Sequence, residues 1–282
     1  MTLIDAHTHL FPPGLAARRA ALAATDPTFA AVYADPAARM ATFEQLLAGL
    51  DRAGIEKAVV AGFAYSAETE LDEQNRYLLD GQAGAGGRVA ALATLNLALP
   101  NWRRPAEAAL AAGARGFGEL RPHNQGWEPL GPAAHELCDL AASAGVPLLW
   151  HVSEPVGHAY HGKLGGISPV ELIELATAHP ATPMVAAHLG GGLSFYLEMP
   201  EVARAIENVY FDTAAVSLLY SNESVARLVA LAGEQRVLFA SDYPLLSPLR
   251  QLERVRAVLI GSAAQAVCGG NADSLFFASR RA

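Results

Sequence analysis

The chain has 282 residues and a formal net charge of −8, with 52% hydrophobic and only 17% charged residues, against roughly 25% charged in an average globular protein. This composition excludes a disordered chain, and the acidic balance without a long basic run excludes the usual electrostatic footprint for nucleic acid. The two cysteines, Cys138 and Cys268, exclude a disulfide framework and a cysteine-rich zinc site. Nine histidines remain to be explained.

The first residues lack both the basic region and the apolar core of a secretory signal. No stretch approaches the 18 consecutive apolar residues typical of a membrane span. We therefore expect a cytoplasmic protein that acts on a small molecule and contacts neither nucleic acid nor membrane. The sequence leaves the formation of a homo-oligomer open.

Short apolar runs alternate with amphipathic or Ala/Leu-rich stretches along the whole chain. Continuous apolar strands that alternate with helices indicate a parallel sheet covered by helices. Eight such units in this length predict an α/β fold of the (β/α)8 TIM barrel type. The run at 89–95 is compatible with a strand or a helix. The predicted strands lie at 3–10, 57–63, 89–95, 114–120, 147–153, 183–189, 209–214 and 237–242.

Several helices show start and stop signals. Thr42 precedes an amphipathic stretch that Gly54 ends, and Ser168 followed by Pro169 begins another helix. No linker or repeat divides the chain, so we predict a single barrel domain over 1–282. One long insertion, at 11–41 after the first strand, is predicted to be partly helical at 15–24 and to lie over the top face as a lid.

Three polar residues alternate within the first predicted strand. Strand periodicity puts the side chains of Asp5, His7 and His9 on one face. Two imidazoles two residues apart near the end of a strand can reach one metal ion, each nitrogen about 2.0–2.1 Å from it. This pair is weak evidence for a metal site when it stands alone.

Other titratable residues lie at the ends of further strands. Glu119, His151, His188 and Asp242 end the fourth, fifth, sixth and eighth runs, on the face where barrel enzymes carry out chemistry. Burial of so many titratable groups is costly without a counter-charge, and a divalent cation is the simplest compensation. By contrast, His135 lies inside a helix and His179 at a helix end, where a solvated capping role is expected.

Taken in order, these motifs resemble those of the amidohydrolase superfamily. The quoted segments are Asp5-Ala-His7-Thr-His9, His151, His188-Leu-Gly-Gly and Ser241-Asp242-Tyr-Pro. With Asn208-Val-Tyr-Phe-Asp212-Thr and Gly269-Gly-Asn271-Ala, they resemble more narrowly its amidohydrolase-2 branch, which includes aminocarboxymuconate-semialdehyde decarboxylase and lactone hydrolases. The resemblance implies an enzyme with a divalent metal, with Zn²⁺ the usual ion and one or two ions per site.

The resemblance also implies residue roles. His7, His9, His151 and Asp242 would be metal ligands, with Asp242 and His188 as the catalytic residues that move protons. Some superfamily members have a carbamylated lysine on the fourth strand, whereas this chain has Glu119 there. Glu119 is then either a metal ligand or a carboxylate that orients a histidine or pairs with Arg121. The number of metal ions stays open.

Cationic residues follow the fourth and fifth predicted strands. Cations beside a metal suit a carboxylate-bearing substrate, and loop salt bridges are the alternative explanation. The substrate-binding candidates are Arg121, His123, His158, His161 and Lys163.

Three functions are compatible with this pattern. The first is a metal-dependent hydrolase in which a metal-activated water attacks a small, carboxylate-bearing substrate. The second is a non-oxidative, metal-dependent decarboxylase, and the third is a barrel that only binds a ligand. The sequence favours the hydrolase and does not name the substrate.

Overall fold

Eight short parallel strands alternate with helices in the computed structural model, which describes residues 2–163 and 165–278. Each predicted apolar run contains one strand, including the run at 89–95, although the strands are shorter than the runs. They are β1 (Ile4–His9), β2 (Lys57–Ala61), β3 (Val89–Ala91), β4 (Phe117–Leu120), β5 (Leu148–Trp150), β6 (Met184–Ala186), β7 (Val209–Asp212) and β8 (Val237–Leu238).

The helices lie between and after these strands. In chain order they are α1 (Pro13–Ala17), α2 (Arg19–Thr25), α3 (Pro27–Tyr33), α4 (Phe43–Ala53), α5 (Glu68–Gly84), α6 (Arg103–Ala111), α7 (Pro122–Gln125), α8 (Pro132–Ala144), α9 (Pro169–Ala178), α10 (Pro200–Ala205), α11 (Val216–Leu219), α12 (Glu223–Ala232), α13 (Pro248–Val258) and α14 (Gly261–Gln265). Further 3-10 and π-helical turns lie within His188–Glu198, Glu234–Arg236, Ala266–Gly270 and Asp273–Phe277, and residues 189–192 of the first segment have left-handed backbone angles instead of helical ones.

The strands are arranged in sequence order. One sheet has the order β1-β2-β3 and the other β4-β5-β6-β7-β8, and all pairs are parallel. Single bridges, Ala93 with Phe117 and Thr8 with Tyr243, connect the two sheets at both junctions. Every strand therefore has a neighbour on each side, which confirms the predicted (β/α)8 arrangement.

The predicted helix boundaries are confirmed where capping signals are strong. Thr42 precedes α4 and its backbone N–H donates to Oε1 of Gln45 at 3.0 Å, while Gly54 ends the helix at φ 65°. Ser168 and Glu171 form a reciprocal capping box at the start of α9, with Pro169 at the first helical position. These local hydrogen bonds satisfy backbone groups that a helix end otherwise leaves unpaired.

Small and apolar side chains fill the space that the strands enclose. Val59, Leu149, Val185 and Leu238 belong to one buried cluster. On β4, Gly118 lies so close to the next strand that an added Cβ would be 2.6 Å from the Cβ of Leu149. Only glycine fits there, because a side chain would collide with the neighbouring strand.

The first strand contains a register shift that changes the expected alternation. Asp5 pairs with Ala58 and Thr8 with Val60, so three steps on β1 match two on β2. Ala58 and Val60 both pack in the cluster between strands and helices. This bulge turns Asp5 away from the face of His7 and His9, and the prediction that all three share one face is wrong for Asp5.

The insertion at 11–41 forms three short helices, α1 to α3, where the sequence predicted one helical stretch at 15–24. Its aromatic residues pack with residues that follow β2. Phe29 and Tyr33 both contact Phe63 edge to face, with ring centroids 5.5 Å and 5.6 Å apart. The insertion is thus fixed to the barrel by an apolar cluster of its own.

Candidate active site

The structure brings together six of the predicted residues at the carboxyl ends of the strands. They form two groups of three, within each of which the ligand atoms all lie within 4.8 Å of one another. We refer to the six residues together as the central cluster. It consists of His7, His9 and Asp242 in one group and Glu119, His151 and His188 in the other.

The first group joins the end of β1 to the segment after β8. The Nε2 atoms of His7 and His9 are 3.0 Å apart, and Nε2 of His9 lies 3.4 Å from Oδ1 of Asp242. Three potential ligand atoms therefore face a common point. The backbone of Asp242 has φ 62°, in a left-handed region that non-glycine residues adopt at an energetic cost and often at functional sites.

The second group connects the ends of β4, β5 and β6. Oε1 of Glu119 lies 2.7 Å from Nδ1 of His151 and 3.5 Å from Nε2 of His188. The two imidazoles are 3.2 Å apart between these nitrogens. Nε2 of His7 is 3.9 Å from Oε1 of Glu119, so the two groups adjoin each other.

Hydrogen bonds around the central cluster fix the orientation of three imidazoles. Nδ1 of His7 donates to Oδ2 of Asp212 at 2.8 Å, and Nδ1 of His188 donates to the carbonyl of Ala214 at 3.0 Å. Nε2 of His151 donates to the carbonyl of Gly162 at 2.7 Å. The second nitrogen of each ring then presents its lone pair to the cluster, as metal-binding histidines do.

Asp212 is a site residue whose role the sequence did not reveal. It is fully buried at the end of β7. Besides the His7 ring, its carboxylate accepts the backbone N–H groups of His188 at 2.9 Å and Ala214 at 3.0 Å. Its position at a strand end was the available signal, but no spacing indicated that it supports a histidine.

The carboxylates create a strongly negative environment. Burial lowers the pKa of His7, yet the adjoining Asp212 outweighs it and raises the pKa to about 10. For His188, burial is likewise outweighed by Glu119 and Asp242, which raise the pKa to about 9. His151 differs, because burial and the charge of Arg121 lower its pKa to about 4.

Asp242 remains ionised in this environment. Burial alone would raise its pKa, but the hydrogen bond from His9 and the charge of His7 hold the pKa at about 2. The pKa of Glu119 lies well below its usual value, because His151 and His188 outweigh the effect of burial. The central cluster is therefore built to hold positive charge, as protons or as a cation.

The donor set fits a divalent cation. Two ligand atoms bound to one ion at about 2.0–2.1 Å can be at most about 4.2 Å apart, and the individual pairs described above, from 2.7 Å for Glu119 and His151 to 3.9 Å for His7 and Glu119, lie within that limit. A neutral His151 that donates from Nε2 has a lone pair, and no hydrogen, at Nδ1. This lone pair faces the carboxylate oxygen Oε1 of Glu119 at 2.7 Å. Two facing acceptors need a proton or a cation between them.

A cavity of about 430 Å³ begins at the central cluster, within the range of about 300–1,000 Å³ typical of small-molecule sites. Arg121, His158 and His161 line it, as do Val32 and Tyr33 of the insertion. The predicted position of the insertion over the site thus agrees with its contribution to the cavity wall.

Two of the substrate-binding candidates lie elsewhere. Among the described residues that line the cavity, neither His123 nor Lys163 is found. His123 is 3.3 Å from the carboxylate of Glu171, and Nζ of Lys163 donates to the carbonyl of His158 at 3.1 Å within its own loop. His123 therefore connects α7 to α9, and Lys163 stabilises its own loop.

The loop 153–163 is held to the site at two points. The carboxylate of Glu154 accepts hydrogen bonds from the hydroxyls of Tyr160 and Tyr220, both at 2.7 Å. The Gly162 carbonyl accepts from His151 and also from Nη2 of Arg121 at 3.0 Å. This loop is therefore bonded directly to residues of the central cluster and the cavity.

The remaining histidines lie apart from the site. Nδ1 of His135 is 2.7 Å from Nε2 of His179, and His179 is 3.1 Å from Asp139. His179 ends α9. The contacts agree with a structural role for this pair, but the expectation of a solvated position is wrong for His179, whose side chain is only 11% exposed.

The fold is a parallel α/β barrel with a buried cluster of histidines and carboxylates at the carboxyl ends of its strands. This combination defines a class of enzymes that act on small molecules at that face. The profile of one family, described as amidohydrolase, matches residues 4–278. The chain belongs to this amidohydrolase family, which confirms the resemblance seen in the sequence.

Solved structures with a similar fold include decarboxylases and a putative amidohydrolase. 5-Carboxyvanillate decarboxylase from Sphingomonas paucimobilis has a TM-score of 0.79 and 18% identity, covering 99% of each chain. 2,6-Dihydroxybenzoate decarboxylase from Rhizobium has a TM-score of 0.74 and 15% identity, covering 98% of this chain and 99% of its own.

A third neighbour was solved with a metal ion. 5-Carboxyvanillate decarboxylase from Novosphingobium aromaticivorans, with bound manganese and 4-hydroxy-3-methoxy-5-nitrobenzoic acid, has a TM-score of 0.76 and 17% identity, covering 98% of this chain and 96% of its own.

No significant match was found among functionally curated proteins. In the described part of the chain, no helix is long and apolar enough to cross a membrane.

Proposed function

We propose that the protein is a divalent-metal-dependent, non-oxidative decarboxylase of small carboxylate-bearing substrates. The observation that carries the proposal is one cavity that joins the acceptor-rich central cluster, the buried guanidinium of Arg121 and apolar walls. The decarboxylases among the solved neighbours support this reaction over the hydrolysis that the sequence analysis placed first. We propose a single barrel domain in which His7, His9, His151, Asp242 and Glu119 hold the metal.

Each group would contribute in a different way. When bound, a divalent cation supplies electrostatic stabilisation of negative charge on a substrate carboxylate or a neighbouring oxygen. Arg121 would orient the carboxylate by charge-assisted hydrogen bonds. His158 and His161 would add donors at the cavity mouth, while Val32, Tyr33 and the other apolar walls would exclude water from the reacting carbon.

Decarboxylation leaves an electron pair on the carbon that loses CO₂, so a proton must reach that carbon. His188 is placed to hold this proton, because Nδ1 donates to the Ala214 carbonyl while Nε2 faces the central cluster. Asp242, ionised beside His9, would take part in returning the proton to His188. The buried position of both groups limits exchange with solvent.

The reaction can be tested directly. Protein reconstituted with Mn²⁺ or Zn²⁺ would be incubated with ortho-hydroxylated aromatic acids, including 5-carboxyvanillate and 2,6-dihydroxybenzoate, and CO₂ release would be measured in ¹⁸O-labelled water. We expect CO₂ and an unlabelled product. Failure to release CO₂ from these acids, together with incorporation of ¹⁸O into the product of a carboxylate-bearing lactone assayed in parallel, would instead identify a hydrolase.

Variants test the assigned residues. Asp242→Asn and His188→Asn are expected to lower turnover by at least 100-fold, in the range of positioned proton-transfer groups, without loss of the folded state. Asp139→Asn and His135→Asn, which change exposed or distant partners of His179, are the matched controls and should retain activity. Equal activity in all four variants would contradict the assignment of the cluster.

A further inference from the structure

A second cavity lies on the outer side of the insertion. It has a volume of about 530 Å³ and is formed between the insertion and α4. It shares Ala37, Ala38, Arg39 and Pro244 with the first cavity, so the two are separated by a thin wall. We call it the arginine pocket, because its lining includes Arg19, Arg39 and Arg52 around Tyr243.

The arginine pocket concentrates positive charge in an acidic protein. Three guanidinium groups face one carboxylate, that of Glu44, whereas the whole chain carries a net charge of −8. Arg19 has a structural role, since it donates to the backbone carbonyls of Asp35 at 2.6 Å and Ala38 at 2.7 Å. These bonds shape the wall between the cavities.

Arg39 and Arg52 differ from Arg19. Neither makes a hydrogen bond or an ion pair with any residue in the described ranges 2–163 and 165–278. Two exposed guanidinium groups therefore line one cavity with no hydrogen-bond acceptor among the described residues. Each can bind a carboxylate or phosphate group through two parallel hydrogen bonds.

Tyr243 is the third component. Its side chain is mostly buried, and it lines the same pocket as both arginines. A Cβ placed on Gly49 would lie 3.8 Å from Cε2 of Tyr243 and 3.9 Å from Nη2 of Arg52, so the phenol ring and this guanidinium adjoin each other. The phenol hydroxyl is a further hydrogen-bond donor.

We propose that the arginine pocket is a second ligand site that binds a small anion through a phosphate or carboxylate group, with Arg39, Arg52 and Tyr243 as the donors. The site does not depend on the proposed decarboxylation, because its lining residues, apart from Ala37, Ala38, Arg39 and Pro244 on the shared wall, line only the second cavity. Its ligand would be recognised by charge and by planar or tetrahedral acceptor geometry.

Calorimetric titration tests this site on the intact, metal-loaded protein. Inorganic phosphate and succinate would be titrated separately at constant ionic strength set with NaCl, so that general screening is unchanged. We expect saturable binding of at least one of the two anions. The anion that binds shows whether the arginine pocket recognises a phosphate or a carboxylate group.

Arg52→Gln is the informative variant, because Arg52 lines the arginine pocket and not the first cavity. Loss of its charge-assisted bonds should weaken binding about tenfold or more, while Arg104→Gln, a change at an exposed arginine of α6, should bind like the wild type. Arg39→Gln gives the same test if Arg52→Gln does not fold. Wild-type affinity in the folded arginine variants, or absence of saturable binding of both anions, would overturn the proposal.

Discussion

Replacing Asp212 by asparagine tests how the His7 imidazole is oriented within the central cluster. Asp212 binds this imidazole but is not itself a proposed metal ligand. In Asp212→Asn, the amide oxygen can keep the bonds from the backbone N–H groups of His188 and Ala214. The amide NH₂ then takes the place of Oδ2, which accepts the Nδ1–H of His7 at 2.8 Å. Two donors would face each other in a fully buried position.

The variant can relieve this conflict only by moving the proton of His7 to Nε2 or by leaving a buried donor unpaired. The first outcome removes the lone pair that faces His9, and the second costs about 1–3 kcal/mol. Loss of such a supporting partner typically weakens metal binding 10- to 100-fold, which corresponds to about 1.4–2.8 kcal/mol. We expect a loss in this range for Mn²⁺.

The assay is a titration of metal-free protein with Mn²⁺, followed by electron paramagnetic resonance of the free ion, with circular dichroism to verify folding. Asp5→Asn is the matched control, since Asp5 is also a fully buried aspartate but accepts from Ser241 instead of a cluster imidazole. Its Mn²⁺ affinity should stay within about twofold of the wild type. Unchanged affinity in Asp212→Asn, or equal losses in both variants, would refute the reasoning.

Three further outcomes are expected. Removal of divalent metal with a chelator should abolish turnover and lower the melting temperature, and Mn²⁺ at 100 times its Kd should restore about 2.7 kcal/mol of stability. Calorimetric melting with and without chelator measures the change in stability. Identical melting curves would count against a metal site. Gly118→Ala should destabilise the protein by more than about 1–3 kcal/mol, because the new Cβ meets Leu149 at 2.6 Å. Gly126→Ala is the control: Gly126 has φ 76° and no atom near its added Cβ, so only the smaller cost of a left-handed backbone is expected. Similar denaturation midpoints for the two variants would contradict the steric argument. Tyr220→Phe removes one of the hydroxyls that hold Glu154, so proteolysis within loop 153–163 should be faster than in the wild type, and an unchanged cleavage rate would show that this bond does not restrain the loop.

The barrel could be predicted because its strands are continuous apolar runs that sequence alone makes visible. Burial on both faces forces this pattern on a parallel strand, and even the ambiguous run at 89–95 contains β3. Strand ends are less visible, since only 2 residues of the last run form β8. The long insertion escaped detailed prediction, because its alanine-rich sequence does not mark where α1 ends and α2 begins.

The central cluster followed from a simple rule, namely that parallel strands bring their carboxyl ends together. That rule placed His7, His151 and His188 near one another without any knowledge of side-chain geometry. It failed for Asp5, because a bulge is a property of the backbone pairing between two strands and leaves no trace in the pattern of one strand. It also could not assign Asp212 its role, which depends on a hydrogen bond to a residue 205 positions away.

Loop residues were harder to predict. Their side chains point where the loop conformation directs them, so His158 and His161 line the cavity while Lys163, in the same loop, bonds to its own backbone. The choice between hydrolysis and decarboxylation was also beyond the sequence, since both reactions use the same ligands at the strand ends.

The Gly162 carbonyl couples two side chains of the site to one loop. This single oxygen accepts from the ring of His151 and from the guanidinium of Arg121, so a displacement of the loop that carries it would remove one hydrogen bond from each group at the same time. A ligand that entered by moving this loop would therefore disturb both groups together, and their full set of bonds would return only with the loop.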